Sequence, residues 1–244
     1  MTGSTSSVPH RSRRTLLGAA VIVLLFERVI PFGQLVMYPF TLLATWAHEM
    51  GHGVGALFVG QRFDRLEIFA DASGLAHVRS ASGWPHAVLL ATGLLAPPLA
   101  GFAMLTFGRG PRRARIALLA LALALLASLA LWVRSVAGWV AVPTVALLTA
   151  ALGVWGSERE RMGGVQFLGL LFGLDTLVRV DYLFSKTATA GGAELPSDVA
   201  AIATELGGVY WLWGLLIACV SFTLLALGLC IAWWERRAPP SPAA

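Results

Sequence analysis

The stretch Tyr38-Pro39-Phe40-Thr41-Leu42-Leu43-Ala44-Thr45-Trp46-Ala47-His48-Glu49-Met50-Gly51-His52-Gly53-Val54-Gly55-Ala56-Leu57-Phe58-Val59 is bilayer-length and almost wholly apolar, yet carries two histidines and a glutamate near its middle. On a helix rising 1.5 Å per residue, His48 would sit roughly 16 Å deep, where an ionisable group is expensive and marks a functional position. His48-Glu49-Met50-Gly51-His52 spells H-E-x-x-H. Four residues apart on a helix, His48 and His52 point from the same face and can share one Zn²⁺, with Glu49 beside them as general base. A third protein ligand and a water would complete the tetrahedron, and the metal would lower the pKa of that water towards neutrality. The competing reading is a polar cluster that packs helices together.

Composition restricts the class independently of the motif. Of 244 residues, 57% are hydrophobic and 13% charged, and the mean hydropathy is +0.74. An ordinary soluble domain is excluded; the pattern is that of a polytopic membrane protein with one membrane domain. The net charge of +5 comes mostly from short arginine clusters. These read as topology signals, not as a nucleic-acid footprint, so no nucleic-acid partner is expected. Cys219 and Cys230 share one apolar run too far apart to pair, which argues against both a disulfide framework and a cysteine metal site.

Seven apolar runs are candidate spans: Leu16 to Phe26, Tyr38 to Val59, Ala87 to Phe107, Ile116 to Val133, Trp139 to Trp155, Val165 to Phe184 and Val209 to Trp234. Residues 1–14 form a basic tail expected to be cytoplasmic, 15–235 the membrane domain, and 236–244 a Pro/Ala-rich tail. The first run has no small-residue cleavage site after it and reads as an uncleaved span. Between Gly60 and Trp84, charge and apolarity alternate, which suits a short β-hairpin at the membrane surface or dipping towards the histidines. The arginines at 109–115, at 159 and 161, and at 236–237 can all be cytoplasmic if the last four runs alternate. With both termini inside, the number of crossings must be even, so either one of the first three runs is re-entrant or the N-terminal basic patch is not cytoplasmic; a re-entrant segment near the motif is the expectation. The expected fold is an all-α bundle of six or seven transmembrane helices with a hairpin or re-entrant segment beside the metal site.

Candidates for the third metal ligand are acidic. Asp175 lies about ten residues into its run, a depth similar to that of His48, and is favoured; its alternative is an i, i+4 ion pair with Arg179. Asp198, in Ser197-Asp198-Val199-Ala200, is the rival, its alternative being a helix cap. Asp181 is third. His77 and His86 flank the hairpin region, where interfacial histidines are common.

The early H-E-x-x-H, the polar segment after it and Ala96-Pro97-Pro98-Leu99-Ala100-Gly101-Phe102 resemble the site-2 proteases, most closely their smaller bacterial relatives. The resemblance covers roughly residues 38 to 234. It implies that His48, His52 and a distant aspartate bind zinc and that Glu49 is the general base. Pro97 and Gly101 stand where the family typically has glycine and asparagine in Gly-Pro-Leu-Ala-Asn. The family's Leu-Asp-Gly is matched only by Leu174-Asp175, with Thr176 following.

The resemblance implies a zinc metalloendopeptidase that cuts a membrane-protein substrate within or beside the bilayer, as in regulated intramembrane proteolysis. The Ala/Arg/Leu-rich composition suggests a bacterial plasma membrane. The competing class is a non-catalytic membrane protein, a pseudoprotease regulator or a transporter-like bundle that retains the motif.

Overall fold

Glycine spacing along the motif stretch decides how its helix packs. The computed structural model describes residues 29–79 and 82–233, with Gly18, Val21, Val23, Leu25 and Phe26 ahead of them. The tails at 1–14 and 236–244, and much of the first apolar run, lie outside the described residues. Helix α1 (Gly33–Phe58) carries the H-E-x-x-H. Gly51 and Gly55 turn it against α2 (Trp84–Phe107) so closely that a Cβ at Gly51 would lie 2.5 Å from the Thr92 carbonyl oxygen. In lipid, small residues that let backbones approach are the main source of helix association, because lipid tails are as apolar as leucine.

Between α1 and α2 the chain forms the hairpin that the alternating pattern predicts. Strands β1 (Arg62–Ile68) and β2 (Gly74–Arg79) are antiparallel, pairing Leu66 with Ala76 and Ile68 with Gly74. The hairpin is strapped to α1, since Tyr38 Oη donates to the Ala70 carbonyl at 2.8 Å and Thr45 Oγ1 to that of Ala72 at 2.7 Å. The outer edge of β1 is sealed: Leu66 N donates to Trp132 O at 2.8 Å, and Arg134 N to Leu66 O at 2.9 Å. By strand alternation, the edge of β2 that carries Gly74 and Ala76 faces the other way.

Helices α3 (Pro111–Leu131) and α4 (Val136–Trp155) follow as a packed pair. Proline in the first turn starts α3, and Ser135 caps α4 by accepting from Gly138 N. Trp46 Nε1 donates to Ser128 Oγ at 2.9 Å, which ties α1 to α3. Leu66, Leu118, Leu125 and Val133 are fully buried where hairpin and helices meet. A capping box of Ser157 and Glu160 then opens α5 (Glu158–Val178). Gly101 of α2 meets Gly169 and Gly173 of α5, and a Cβ at Gly101 would lie 2.5 Å from Gly173 N. The residue standing at the family's asparagine position is thus a point of backbone-to-backbone packing.

The Val165 to Phe184 run is not one helix. It breaks at Arg179, and a short α6 (Val180–Leu183) leads into a second hairpin, β3 (Thr187–Ala190) and β4 (Ala193–Pro196). Helix α7 (Asp198–Leu206) follows, and α8 (Tyr210–Trp233) packs against α2, α5 and α7.

The fold is mostly helical. Among the described residues, four helices are long and apolar enough to cross a membrane: α2, α3, α4 and α8. This does not confirm the count of six or seven: α1 carries the motif's polar groups, α5 carries Glu158 to Arg161 and Asp175, and much of the first run lies outside the described residues. Nor is the fold all-α, since the second hairpin joins the expected one.

Candidate metal centre

One turn of α1 sets His48 Nε2 and His52 Nε2 3.1 Å apart. The His52 ring fits because position 93 on α2 is glycine; a Cβ there would run into it. His52 Nδ1 donates to the Leu89 carbonyl at 2.9 Å, which leaves Nε2 facing the cluster, where a bound cation would take the place of its proton.

The third group comes from α7. Asp198 Oδ2 lies 3.1 Å from His48 Nε2 and 3.4 Å from His52 Nε2. Ser197 makes this orientation possible by taking the capping role, its side chain accepting from Ala200 N and donating to the Ser185 carbonyl at 2.6 Å. Asp198, the next residue, is left with its carboxylate directed at the histidines. Tyr182 Oη donates to Asp198 Oδ2 at 2.9 Å, and the Tyr182 ring stands edge-on to that of His48. Burial would raise the Asp198 carboxyl, but the charge of His52 and hydrogen bonds from both histidines outweigh it and hold the group well below the usual carboxylate range. It is an anion, the form a metal ligand must have.

His48, His52 and Asp198 form the one described group of three or more such side chains with ligand atoms close enough to share a cation. Their separations of 3.1, 3.1 and 3.4 Å match the edge of about 3.3 Å in a tetrahedron with metal–ligand bonds of about 2.0–2.1 Å. The donor set of two imidazoles and a carboxylate therefore fits a divalent cation such as zinc.

The favoured third residue, Asp175, lines the same cavity but is not one of the three clustered side chains: its Oδ1 accepts from Arg179 Nε at 2.9 Å. Arg179 also reaches Thr45 Oγ1 and the Thr41 carbonyl, binding α5 to α1. Asp175 lies on the same unbroken helix as Val165, one turn before Arg179, and its carboxylate is taken up by the i, i+4 ion pair. Asp181, on α6, is outside the cluster. His77 pairs with Glu67 and His86 with Glu205, each at 2.7 Å. Tyr182 has no sequence signal beyond an aromatic hydroxyl at the end of an apolar run.

Glu49 is buried, and its Oε2 accepts from Ala76 N on the open edge of β2 at 2.8 Å. A Cβ at Gly74 would lie 2.6 Å from Glu49 Cγ, so glycine lets the strand come down onto the glutamate. A cavity of about 350 Å³ joins these groups, with His48, Glu49, His52 and Asp198 on one wall and parts of both hairpins around it.

A helical membrane protein in which an H-E-x-x-H helix and an aspartate from a second helix form a His-His-Asp cluster has the plan of a membrane metallopeptidase. A family model described as Peptidase M50B-like matches residues 15–228, and the chain belongs to that family, within the site-2 proteases. No curated protein and no solved structure matches the chain.

Proposed function

We propose that the protein is an intramembrane zinc metallopeptidase that hydrolyses a peptide bond in or next to a membrane-spanning substrate, in a bacterial plasma membrane. The observation that carries this reading is the tetrahedral spacing of His48 Nε2, His52 Nε2 and Asp198 Oδ2 beside a buried Glu49. Asp198 takes the third ligand position in place of Asp175. Zinc held there would supply Lewis acidity for the scissile carbonyl and make water a competent nucleophile near neutral pH. Glu49 takes the proton from the attacking water and gives it to the leaving amine. The Leu89 carbonyl orients His52 from behind, and Tyr182 holds Asp198 through the oxygen that faces the histidines.

A helical peptide bond is shielded from attack, so the substrate has to be extended at the site. The open edge of β2 offers it a place as an added strand, with Ala76 N–H exchanging its bond to Glu49 for one to the substrate. The decisive experiment is Glu49→Gln. Metal content should stay at the wild-type level while cleavage of a membrane-anchored peptide falls by a factor of about 10² or more. Unchanged turnover would remove Glu49 from the mechanism.

A further inference from the structure

The metallopeptidase reading leaves residues 187–196 without a role, although they border the same cavity. Gly191 and Gly192 both have positive φ, 57° and 81°, as a tight two-residue hairpin turn requires. The register pairs Ala188 with Leu195 and Thr189 with Glu194, and strand alternation sends the two pairs to opposite faces. Ala188, Ala190 and Leu195 are half-buried and line the cavity; Thr189 also borders it but is exposed, and Glu194 is exposed and does not. The hairpin therefore turns its Ala188–Leu195 face to the cavity that the three clustered side chains also line. Its tip is fixed: Gly191 N donates to Ser73 Oγ at 3.1 Å, and Ser73 Oγ donates to Asp71 Oδ1 at 2.6 Å. The Phe69 ring fills the remaining space at the tip, where a Cβ on Gly191 would meet it at 2.7 Å. The contact joins the turns of the two hairpins.

We propose that β3–β4 is the roof of the substrate cleft, and that Ala188 and Ala190 select small side chains on an extended segment lying between them and the open edge of β2. The proposal rests on the metallopeptidase reading for the identity of the segment, but the roof itself rests on geometry. An extended chain presents alternate side chains to its two faces. Those pointing up meet methyl groups under a roof whose height the tip contact sets. The cavity volume, about 350 Å³, is at the low end of ligand pockets, roughly 300–1,000 Å³.

The test uses the full chain in detergent with Cys219→Ser and Cys230→Ser, and a reporter thiol from Leu75→Cys on the cavity wall. Ala188→Leu and Ala190→Leu should each slow its alkylation by a small maleimide about fivefold or more, whereas Glu194→Leu, on the opposite face of the same hairpin, should change it by less than about twofold. Equal rates in Ala190→Leu and Glu194→Leu would overturn the roof. In parallel, membrane-anchored peptides with Gly, Ala, Leu or Phe around the scissile bond are compared. Wild type should prefer the small residues, and Ala190→Leu should narrow the preference to Gly; a preference that does not move while alkylation slows would overturn the selection. If the alkylation pattern appears and wild type cleaves none of the peptides, the roof stands and the peptidase reading fails.

Discussion

Tyr182 Oη donates a 2.9 Å hydrogen bond to Asp198 Oδ2, the same carboxylate oxygen that faces His48 and His52. The bond comes from the break at Arg179, which turns the chain into α6 and brings Tyr182 under the start of α7. A ligating carboxylate held in this way loses less orientational freedom on binding metal.

Tyr182→Phe should therefore weaken metal retention by about 10- to 100-fold, the usual effect of losing a partner behind a ligand. Competition against a chelator of known affinity measures it. Affinity equal to wild type would mean that Ser197 alone positions Asp198.

The α2–α5 contact predicts a stability effect remote from the chemistry. Gly101→Ala puts a methyl against the Gly173 backbone nitrogen and the Gly169 carbonyl, neither of which can rotate away. Thermal unfolding in detergent should show a loss of roughly 1–3 kcal/mol, the cost typical of overpacking. A neutral result would show that the helices separate there at no cost.

Much of this arrangement is legible in the chain. The two histidines and Glu49 follow from helical spacing, and the first hairpin from alternation between Gly60 and Trp84. The third member of the cluster is not legible, because the competing readings of each aspartate are local while the cluster depends on where the chain bends. Asp175 has Arg179 four residues on, and the ion pair forms. Asp198 follows a serine, and because Ser197 caps α7, the aspartate is released from that role. The second hairpin is hidden for a related reason: Thr187 to Pro196 is short, rich in alanine and glycine, and weak in strand-forming residues.

The far end of α7 should respond to acid. Glu205 accepts from Gly83 N and pairs with His86, and these contacts hold its carboxyl below its ordinary value of 4.5. A depressed carboxyl contributes stability that is present above 4.5 and lost as pH falls through its lower folded value. Hydrogen exchange of residues 198–206 should accelerate in that acid range in wild type, and Glu205→Gln should flatten the dependence. The same acid limb in both proteins would assign it to another group.

Metal content per chain, measured by elemental analysis on purified Asp198→Asn and Asp175→Asn beside wild type, is the most direct test of the centre. Wild type should hold about one zinc, and Asp198→Asn should lower retention by about tenfold or more, since an anionic ligand becomes a neutral amide. Asp175→Asn should keep its zinc while losing stability, because Arg179 is left without its carboxylate. Zinc lost from Asp175→Asn and kept in Asp198→Asn would contradict the centre described above.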